Sequence, residues 1–114
     1  MHELSLTQSI LDIIEDYAQK HHFKKVHSVK LSFGKLSSIE PKCLGFAFEV
    51  LSKETKAQEA CLEFDILPIV IYCMSCEKEV EVDSYTATCP QCEGEDVVLA
   101  GGTQELKIVE IDVD

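Results

Sequence analysis

The chain of 114 residues contains no arginine, and its positive charge is concentrated in the first half. Residues 1–60 carry 8 lysines and 8 acidic residues, whereas residues 61–114 carry 2 lysines and 13 acidic residues, which accounts for the net charge of −11. A nucleic-acid-binding protein needs cations that displace counterions from phosphates and arginine side chains that read base edges. Nucleic acid and anionic membrane surfaces are therefore poor partners for this chain. The acidic half predicts either contact with a basic partner surface or a solvated face.

Long hydrophobic runs are also missing, and the N-terminus has no basic segment of the kind that begins a secretory signal peptide. We therefore expect a cytoplasmic protein whose cysteine thiols stay reduced. With 46% hydrophobic residues the chain can bury a core, which excludes a wholly disordered protein. Neither a G-x-S-x-G motif nor a P-loop is present, so we assign no catalytic residues and expect a protein that is not an enzyme.

Hydrophobic periodicity predicts two helices. The first has a helical stripe made of Leu6, Ile10, Ile13, Ile14 and Tyr17. Ser5 and Gln8 have the spacing of a capping box, which predicts a helix that starts near Ser5 and ends near residues 20–22. The second helix is expected to begin at Pro41. Its buried face comprises Leu44, Ala47, Phe48 and Leu51.

Alternating patterns predict three strands. Val29, Leu31 and Phe33 form the first, which Gly34 ends. Leu62, Phe64 and Ile66 form the second, which Pro68 ends or forces to a sheet edge. The third covers residues 106–113, where imperfect alternation predicts a strand with both faces partly covered. These elements predict an α+β fold in which two helices pack on a small, mainly antiparallel three-stranded sheet.

A cysteine-rich segment interrupts this pattern before the last strand. We expect two domains, one formed by residues 1–70 plus 103–114 and an inserted zinc ribbon at residues 71–102. Residues 85–88 and 97–99 read as short strands of the ribbon. Since about 30 residues cannot bury a sufficient core, metal binding would supply much of the folding free energy of this segment.

The ribbon contains two C-x-x-C pairs, Cys73/Cys76 and Cys89/Cys92. Two such pairs at this separation are typical of a tetrahedral four-cysteine zinc site. The same sulfurs could instead hold iron or act as redox-active dithiols. A reactive dithiol needs a lowered thiol pKa, whereas the neighbouring acidic residues are expected to raise it. These are Glu77, Glu79, Glu93 and Glu95.

Two further cysteines, Cys43 and Cys61, have no partners at ligand spacing. We expect them to be buried and to act as small hydrophobic side chains.

The N-terminus offers a second possible metal site. The Met1 amine, the deprotonated amide of His2 and the His2 imidazole can form fused chelate rings that suit square-planar Ni(II) or Cu(II). The fourth ligand stays open, since Glu3, water, a partner or one of three histidines could supply it. Those histidines are His21, His22 and His27. On chemistry alone, a histidine at position 2 is more often a solvated terminal residue.

The opening residues Met1–Ser5 and the four-cysteine insert together resemble the HypA/HybF family of nickel metallochaperones for [NiFe]-hydrogenase maturation. The resemblance covers essentially the whole chain, including residues 39–48 and 105–111. It implies that Met1, His2 and Glu3 bind nickel, with His2 essential, and that the four ribbon cysteines bind structural zinc. Some relatives have a further histidine near the zinc module, but this chain has no histidine after His27.

The resemblance also implies partners. They are a GTPase, on which any GTP hydrolysis would occur, and the precursor of the hydrogenase large subunit; in some bacteria the family also serves urease. The alternatives are a zinc-ribbon adaptor or a thiol-redox protein with an inert N-terminus, or a rubredoxin-like electron carrier. The sequence leaves open whether the chain forms a homodimer.

Overall fold

The computed structural model describes residues 2–85 and 87–114, without the side chain of His2. It contains two helices and six strands: α1 (His2–His21), β1 (Val26–Gly34), α2 (Pro41–Leu51), β2 (Cys61–Leu67), β3 (Ile69–Cys73), β4 (Lys78–Val82), β5 (Val97–Gly101) and β6 (Lys107–Val113). The strands form two three-stranded sheets, in the orders β2-β1-β6 and β4-β3-β5. The predicted α+β fold class is confirmed. Neither described helix is long and apolar enough to cross a membrane.

Helix α1 begins at His2, so the predicted start near Ser5 is wrong. The Ser5 carbonyl accepts a bond of 3.1 Å from the Ser9 hydroxyl, and the Gln8 side chain donates to Asp12 at 2.9 Å. The capping-box residues are thus used inside the helix, where serine hydroxyls can bond the carbonyl one turn earlier. The predicted end is confirmed at His21, and His22 follows with a left-handed φ of 59°.

The buried face of α1 is rotated slightly from the predicted stripe. Its buried residues are Thr7, Ile10, Leu11, Ile14 and Ala18. Two members of the predicted stripe, Ile13 and Tyr17, are 44% and 42% exposed. They therefore lie at the border of the buried face.

Helix α2 begins at Pro41, as predicted, and buries Leu44, Ala47 and Phe48. Proline suits this first position because its missing N–H has no intrahelical role there. The Glu40 carboxylate caps the helix by accepting a bond of 3.1 Å from the Lys42 N–H. Adjacent residues, Glu40 and Pro41, therefore determine where α2 starts.

Strand β1 is the central strand of the first sheet and carries much of its core. Val26, Val29 and Leu31 are fully buried, and β1 pairs antiparallel with β6. The register shifts where Lys30 pairs with Glu110 and Leu31 with Ile108, which leaves Val109 as a β-bulge.

The bulge explains the imperfect alternation of β6. An extra residue reverses the inside–outside pattern beyond it, so Ile108 and Ile111 are both half-buried despite their opposite parity, while Val109 is 50% exposed. The prediction that both faces of this strand are partly covered is therefore wrong.

The chain divides into two compact units. The first comprises Met1–Ser32, Ile39–Asp65 and Lys107–Asp114, and includes both helices. The second comprises Phe33–Ser38 and Ile66–Leu106, and includes the sheet β4-β3-β5. The domain boundaries predicted from the sequence describe separate domains and not compact units of contacts, so they remain a prediction.

Within the second unit, β5 confirms the strand predicted at residues 97–99. The strand predicted at 85–88 is wrong for Tyr85, Ala87 and Thr88, which lie outside any strand, and Thr86 lies outside the described residues. Strands β3 and β4 were not predicted. In β4, Val80 is buried and Val82 is half-buried, and they alternate with the exposed Glu79 and Glu81. This alternation covers only four residues, the shortest run that indicates a strand.

Gly34 is a position where a side chain cannot be accommodated. A Cβ on Gly34 would overlap the Gly102 carbonyl and lie 2.7 Å from the Gln104 backbone N. We predict that Gly34→Ala destabilises the protein by about 1–3 kcal/mol, the usual range for overpacking, as measured by urea unfolding.

Gly45 supplies the matched control, since a Cβ there would meet nothing within 4 Å. Gly45→Ala is expected to stabilise helix α2 by about 0.5–1 kcal/mol. Equal stability changes in the two variants would contradict the prediction.

Candidate metal centre

Four cysteine side chains converge in the second unit. The sulfurs of Cys73, Cys76, Cys89 and Cys92 all lie within 4.8 Å of one another. Cys73 Sγ is 3.6 Å from Cys92 Sγ, and Cys76 Sγ is 3.9 Å from Cys89 Sγ. A tetrahedral ion with bonds of about 2.3 Å to sulfur places its ligands about 3.8 Å apart. The arrangement therefore fits a four-thiolate ion such as Zn²⁺.

The first pair lies in a tight turn after β3. Cys73 is the last residue of β3, and its sulfur accepts a 3.4 Å hydrogen bond from the Cys76 N–H. The Cys73 carbonyl accepts a 2.8 Å bond from the Glu77 N–H, and Glu77 has a φ of 56°. The turn thus closes with a left-handed residue immediately after the second cysteine.

The second pair repeats this geometry. The Cys89 carbonyl accepts a 2.8 Å bond from the Glu93 N–H, and Glu93 has a φ of 62°. Gly94 then passes close to the cluster, where a Cβ would lie 3.3 Å from Cys92 Sγ. The two C-x-x-C-E segments are therefore equivalent turns that present sulfurs from two directions. The sequence shows a glutamate after each cysteine pair, but it does not show that these residues close the turns through their backbone.

The cysteines form part of a small buried core in their unit. Cys73 and Cys89 are buried with Ile71 and Val80, while Cys92 is exposed. Val82, Val97 and Cys76 pack against this group as partly buried residues. So few apolar side chains bury little surface, and an ion held by the sulfurs would add the cross-link that this core needs.

Neighbouring groups in the cluster set the thiol pKa values. The side-chain hydrogen bond with Cys92, together with the smaller effect of desolvation, raises the pKa of Cys76 to about 12. Backbone N–H groups of Cys92 and Gln91 lower the pKa of Cys89 to about 7. The expectation that nearby glutamates raise the thiol pKa values is wrong for Cys89, since donated backbone hydrogen bonds stabilise its thiolate.

We predict that zinc binding by this cluster weakens as the pH falls. Because the raised pKa of Cys76 keeps its thiol protonated at neutral pH, zinc must displace at least that proton. For each proton displaced, the apparent affinity is expected to fall up to about tenfold per pH unit. Chelator competition between about pH 6 and about pH 8 measures the slope, and calorimetry in two buffers counts the protons released. An affinity that is constant over this range would contradict the prediction.

The remaining two cysteines correct an expectation. Cys43 and Cys61 are both exposed, so the prediction that they are buried is wrong. Cys43 directly precedes Leu44, the first buried residue of α2, and therefore lies off the helix face that packs inward. Cys61 begins β2, in which Leu62 and Phe64 occupy the half-buried parity.

The proposed nickel ligands lie at the start of α1. Met1 and the side chain of His2 are outside the described residues, whereas Glu3 is half-buried in the first turn. Among the described side chains, which do not include those of Met1 and His2, the four-cysteine cluster is the only group of three or more metal-ligating residues. His27 instead bonds Asp114 at 2.6 Å, and the His21 ring lies 6.1 Å from that of Tyr17.

Comparison with known proteins identifies the family. A family model described as "Hydrogenase/urease nickel incorporation, metallochaperone, hypA" matches residues 1–113. Hydrogenase maturation factor HypA of Syntrophus aciditrophicus is 56% identical over 114 residues, which cover all of both chains. The corresponding factor of Albidiferax ferrireducens is 40% identical over the same span. The solution structure of the Ni metallochaperone HypA from Helicobacter pylori shares the fold, with a TM-score of 0.62 at 18% identity, and the match covers 97% of this chain and 96% of that one. The resemblance seen in the sequence is thereby confirmed, and the chain belongs to the HypA family.

Proposed function

We propose that this protein is a nickel metallochaperone for [NiFe]-hydrogenase maturation, and that it binds Ni(II) through Met1, His2 and Glu3. The observation that carries the proposal is the family match over residues 1–113 in a chain that opens with this Met-His-Glu segment. The four-cysteine cluster is proposed to hold structural zinc. On this proposal the protein is a carrier and has no catalytic residues.

The position of His2 at the start of α1 suits an amide ligand. The first four N–H groups of a helix have no intrahelical partner, so the His2 amide is free of the α1 hydrogen-bond ladder. The positive end of the helix dipole also favours an anionic amide nitrogen. Glu3, an acidic residue in the first turn, offsets the repulsion between this dipole and the metal cation.

A terminal chelate also suits delivery. Nickel competes with protons for the imidazole and for the amide, so its affinity falls with acid. A site at the chain end can be approached by an acceptor protein without unfolding of the core. The cluster, in contrast, uses all four tetrahedral positions for sulfur and leaves none for exchange, which favours a structural ion there.

The partners proposed from the family are a GTPase of hydrogenase maturation and the large-subunit precursor, both in the cytoplasm. The chain's net charge of −11 favours partner surfaces with basic residues.

The N-terminal site is tested by nickel titration of untagged, zinc-loaded protein with its native Met1. We predict that His2→Ala abolishes the one-to-one nickel site because it removes the imidazole from the chelate, and that two residues added before Met1 abolish it because they displace the amine. Zinc content should stay unchanged in both variants.

Lys24→Ala is the matched control, since Lys24 is exposed, lies beyond the end of α1 and is not a candidate nickel ligand. It is expected to bind nickel as the wild type does. Wild-type titrations for both N-terminal variants would overturn the proposed site.

A further inference from the structure

Strand β2 lies at an edge of the first sheet. In the order β2-β1-β6, its described residues are hydrogen-bonded to β1 and to no other strand. One side of an edge strand carries N–H and C=O groups that another chain can pair with. The strand runs over Cys61–Leu67, so at about 3.3 Å per residue it offers roughly 20 Å of backbone. This is long enough for an added strand.

A groove lies beside this edge. It has a volume of about 540 Å³ and runs between α2 and β2, within the first compact unit. Phe48 from α2 and Leu62 and Phe64 from β2 provide its apolar lining. Glu49 and Glu59 add carboxylates, against the single lysine Lys53. We refer to this groove, together with the outer edge of residues 61–65, as the β2 groove.

Gly45 has no side chain to fill the β2 groove on its α2 side. It lies in the middle of the helix and lines the groove, yet a Cβ there would meet nothing within 4 Å. Glycine in a helix interior is less stable than alanine by about 0.5–1 kcal/mol. Because the neighbouring described atoms leave room for a side chain, the bare backbone at this position leaves space for a group that enters from outside.

The side chains of β2 indicate which kind of segment could bind in the groove. Leu62 and Phe64 line the groove, whereas Glu63 and Asp65 on the alternate parity are exposed. Residues opposite one another on paired strands interact directly, and opposite charges there are favourable. A complementary strand would therefore place hydrophobic residues toward the groove and lysine or arginine against Glu63 and Asp65.

We propose that the β2 groove binds an extended segment of a partner protein in which hydrophobic and basic residues alternate, added to β2 as a fourth strand of the sheet. A second copy of β2 is a poor occupant, because antiparallel self-pairing would bring acidic residues against acidic residues. The residues of the β2 groove do not include the proposed nickel ligands, so absence of peptide binding would leave the proposed nickel binding intact.

The probe is the synthetic peptide Lys-Val-Lys-Phe-Lys-Val-Lys, labelled with a fluorophore and titrated into full-length, zinc-loaded protein at about 0.15 M salt, where surface charges are screened beyond about 8 Å. We expect saturable binding, together with slower hydrogen exchange of the amides in residues 61–65. A peptide with glutamate in place of lysine, and one N-methylated at alternate residues, should not bind. The glutamate peptide lacks the positive charges that pair with Glu63 and Asp65. The N-methylated peptide lacks the backbone N–H donors that bond to β2.

Two variants have matched controls. Glu63→Lys with Asp65→Lys is expected to weaken binding about tenfold, since two favourable cross-strand pairs become repulsive. Glu79→Lys with Glu81→Lys makes the same change at exposed positions of β4, an edge strand of the other sheet, and should change affinity less than about twofold. Gly45→Leu should weaken binding by filling the groove, whereas Phe46→Leu, an exposed change on the same helix, should not.

The proposal would be overturned if the peptide did not bind, if both pairs of charge reversals weakened its binding equally, or if hydrogen exchange at residues 61–65 did not change. It would also be overturned if the protein formed a dimer that is lost in Glu63→Lys with Asp65→Lys. Equal weakening would show nonspecific attraction to an acidic protein, in which case the acidic residues of β2 only protect an edge strand from aggregation. Such a dimer would show that a second copy occupies the surface. Nickel titration of the same variants is expected to match the wild type.

Discussion

Cys89→Ser is expected to abolish zinc retention and to unfold the compact unit formed by residues 33–38 and 66–106. Cys89 is 1% exposed and belongs to a buried group of only four residues, two of which are cysteines of the cluster. Structural zinc contributes about 10–16 kcal/mol of apparent binding free energy at neutral pH in zinc-finger peptides. Three remaining sulfurs cannot complete the tetrahedron, so most of this contribution is lost.

The two helices provide a way to observe this loss selectively. Both α1 and α2 belong to the first unit, which has its own core on β1. Far-UV circular dichroism at the helical minimum should therefore change little in Cys89→Ser, while amide resonances of β3, β4 and β5 lose their dispersion. Elemental analysis should show no bound zinc after dialysis, and nickel binding at the N-terminus should persist.

Cys43→Ser is the matched control because Cys43 is an exposed thiol outside the cluster. It should retain zinc and the dispersion of the ribbon resonances. If Cys89→Ser also retained them, the four sulfurs would not be the site that holds this unit together. If both variants lost them, the ribbon would be sensitive to any cysteine replacement and the assignment would fail.

The parts of the structure that the sequence predicts are those set by local chemistry. The C-x-x-C spacing predicts the four sulfurs because each pair is confined to one turn, and the structure brings them within 4.8 Å of one another. Helix α2 is predicted from Pro41 onward because proline and the apolar spacing both act within one or two turns. Strand β1 likewise shows a clear alternation of residue types, because Val29, Leu31 and Phe33 share a fully buried face.

The errors arise where the partner of a residue is distant in sequence. The burial of Cys43 and Cys61 depends on which face of α2 and β2 packs inward, and residue type alone predicted the wrong side. The bulge at Val109 depends on the pairing of β6 with β1 across the sheet. The start of α1 was misplaced because Ser5 is a good cap in isolation, although the three residues before it are already helical. The backbone turns at Glu77 and Glu93 depend on closure around the cysteines.

Phe48→Ala is expected to destabilise the first unit by about 3 kcal/mol, toward the lower end of the usual range for a buried phenylalanine. Phe48 is a buried residue of α2 and is 3% exposed, so its removal deletes buried apolar contacts. Its ring also lines the β2 groove of about 540 Å³. Since water already reaches one side of this site, the deletion enlarges an open groove and leaves a smaller sealed cavity than it would at a fully enclosed position.

Phe46 supplies the comparison on the same helix. It is 69% exposed, so Phe46→Ala should change stability by no more than about 0.5 kcal/mol. Urea unfolding followed at the helical circular dichroism signal reports on the first unit, because both helices lie in it. With a slope of about 2 kcal/mol per molar urea, the midpoint of Phe48→Ala should fall by about 1.5 M and that of Phe46→Ala by less than about 0.3 M. Similar midpoints for the two variants would show that α2 does not pack through Phe48. That result would also mean that Phe48 does not form the α2 side of the β2 groove. This pair of variants therefore tests the geometry on which peptide binding depends.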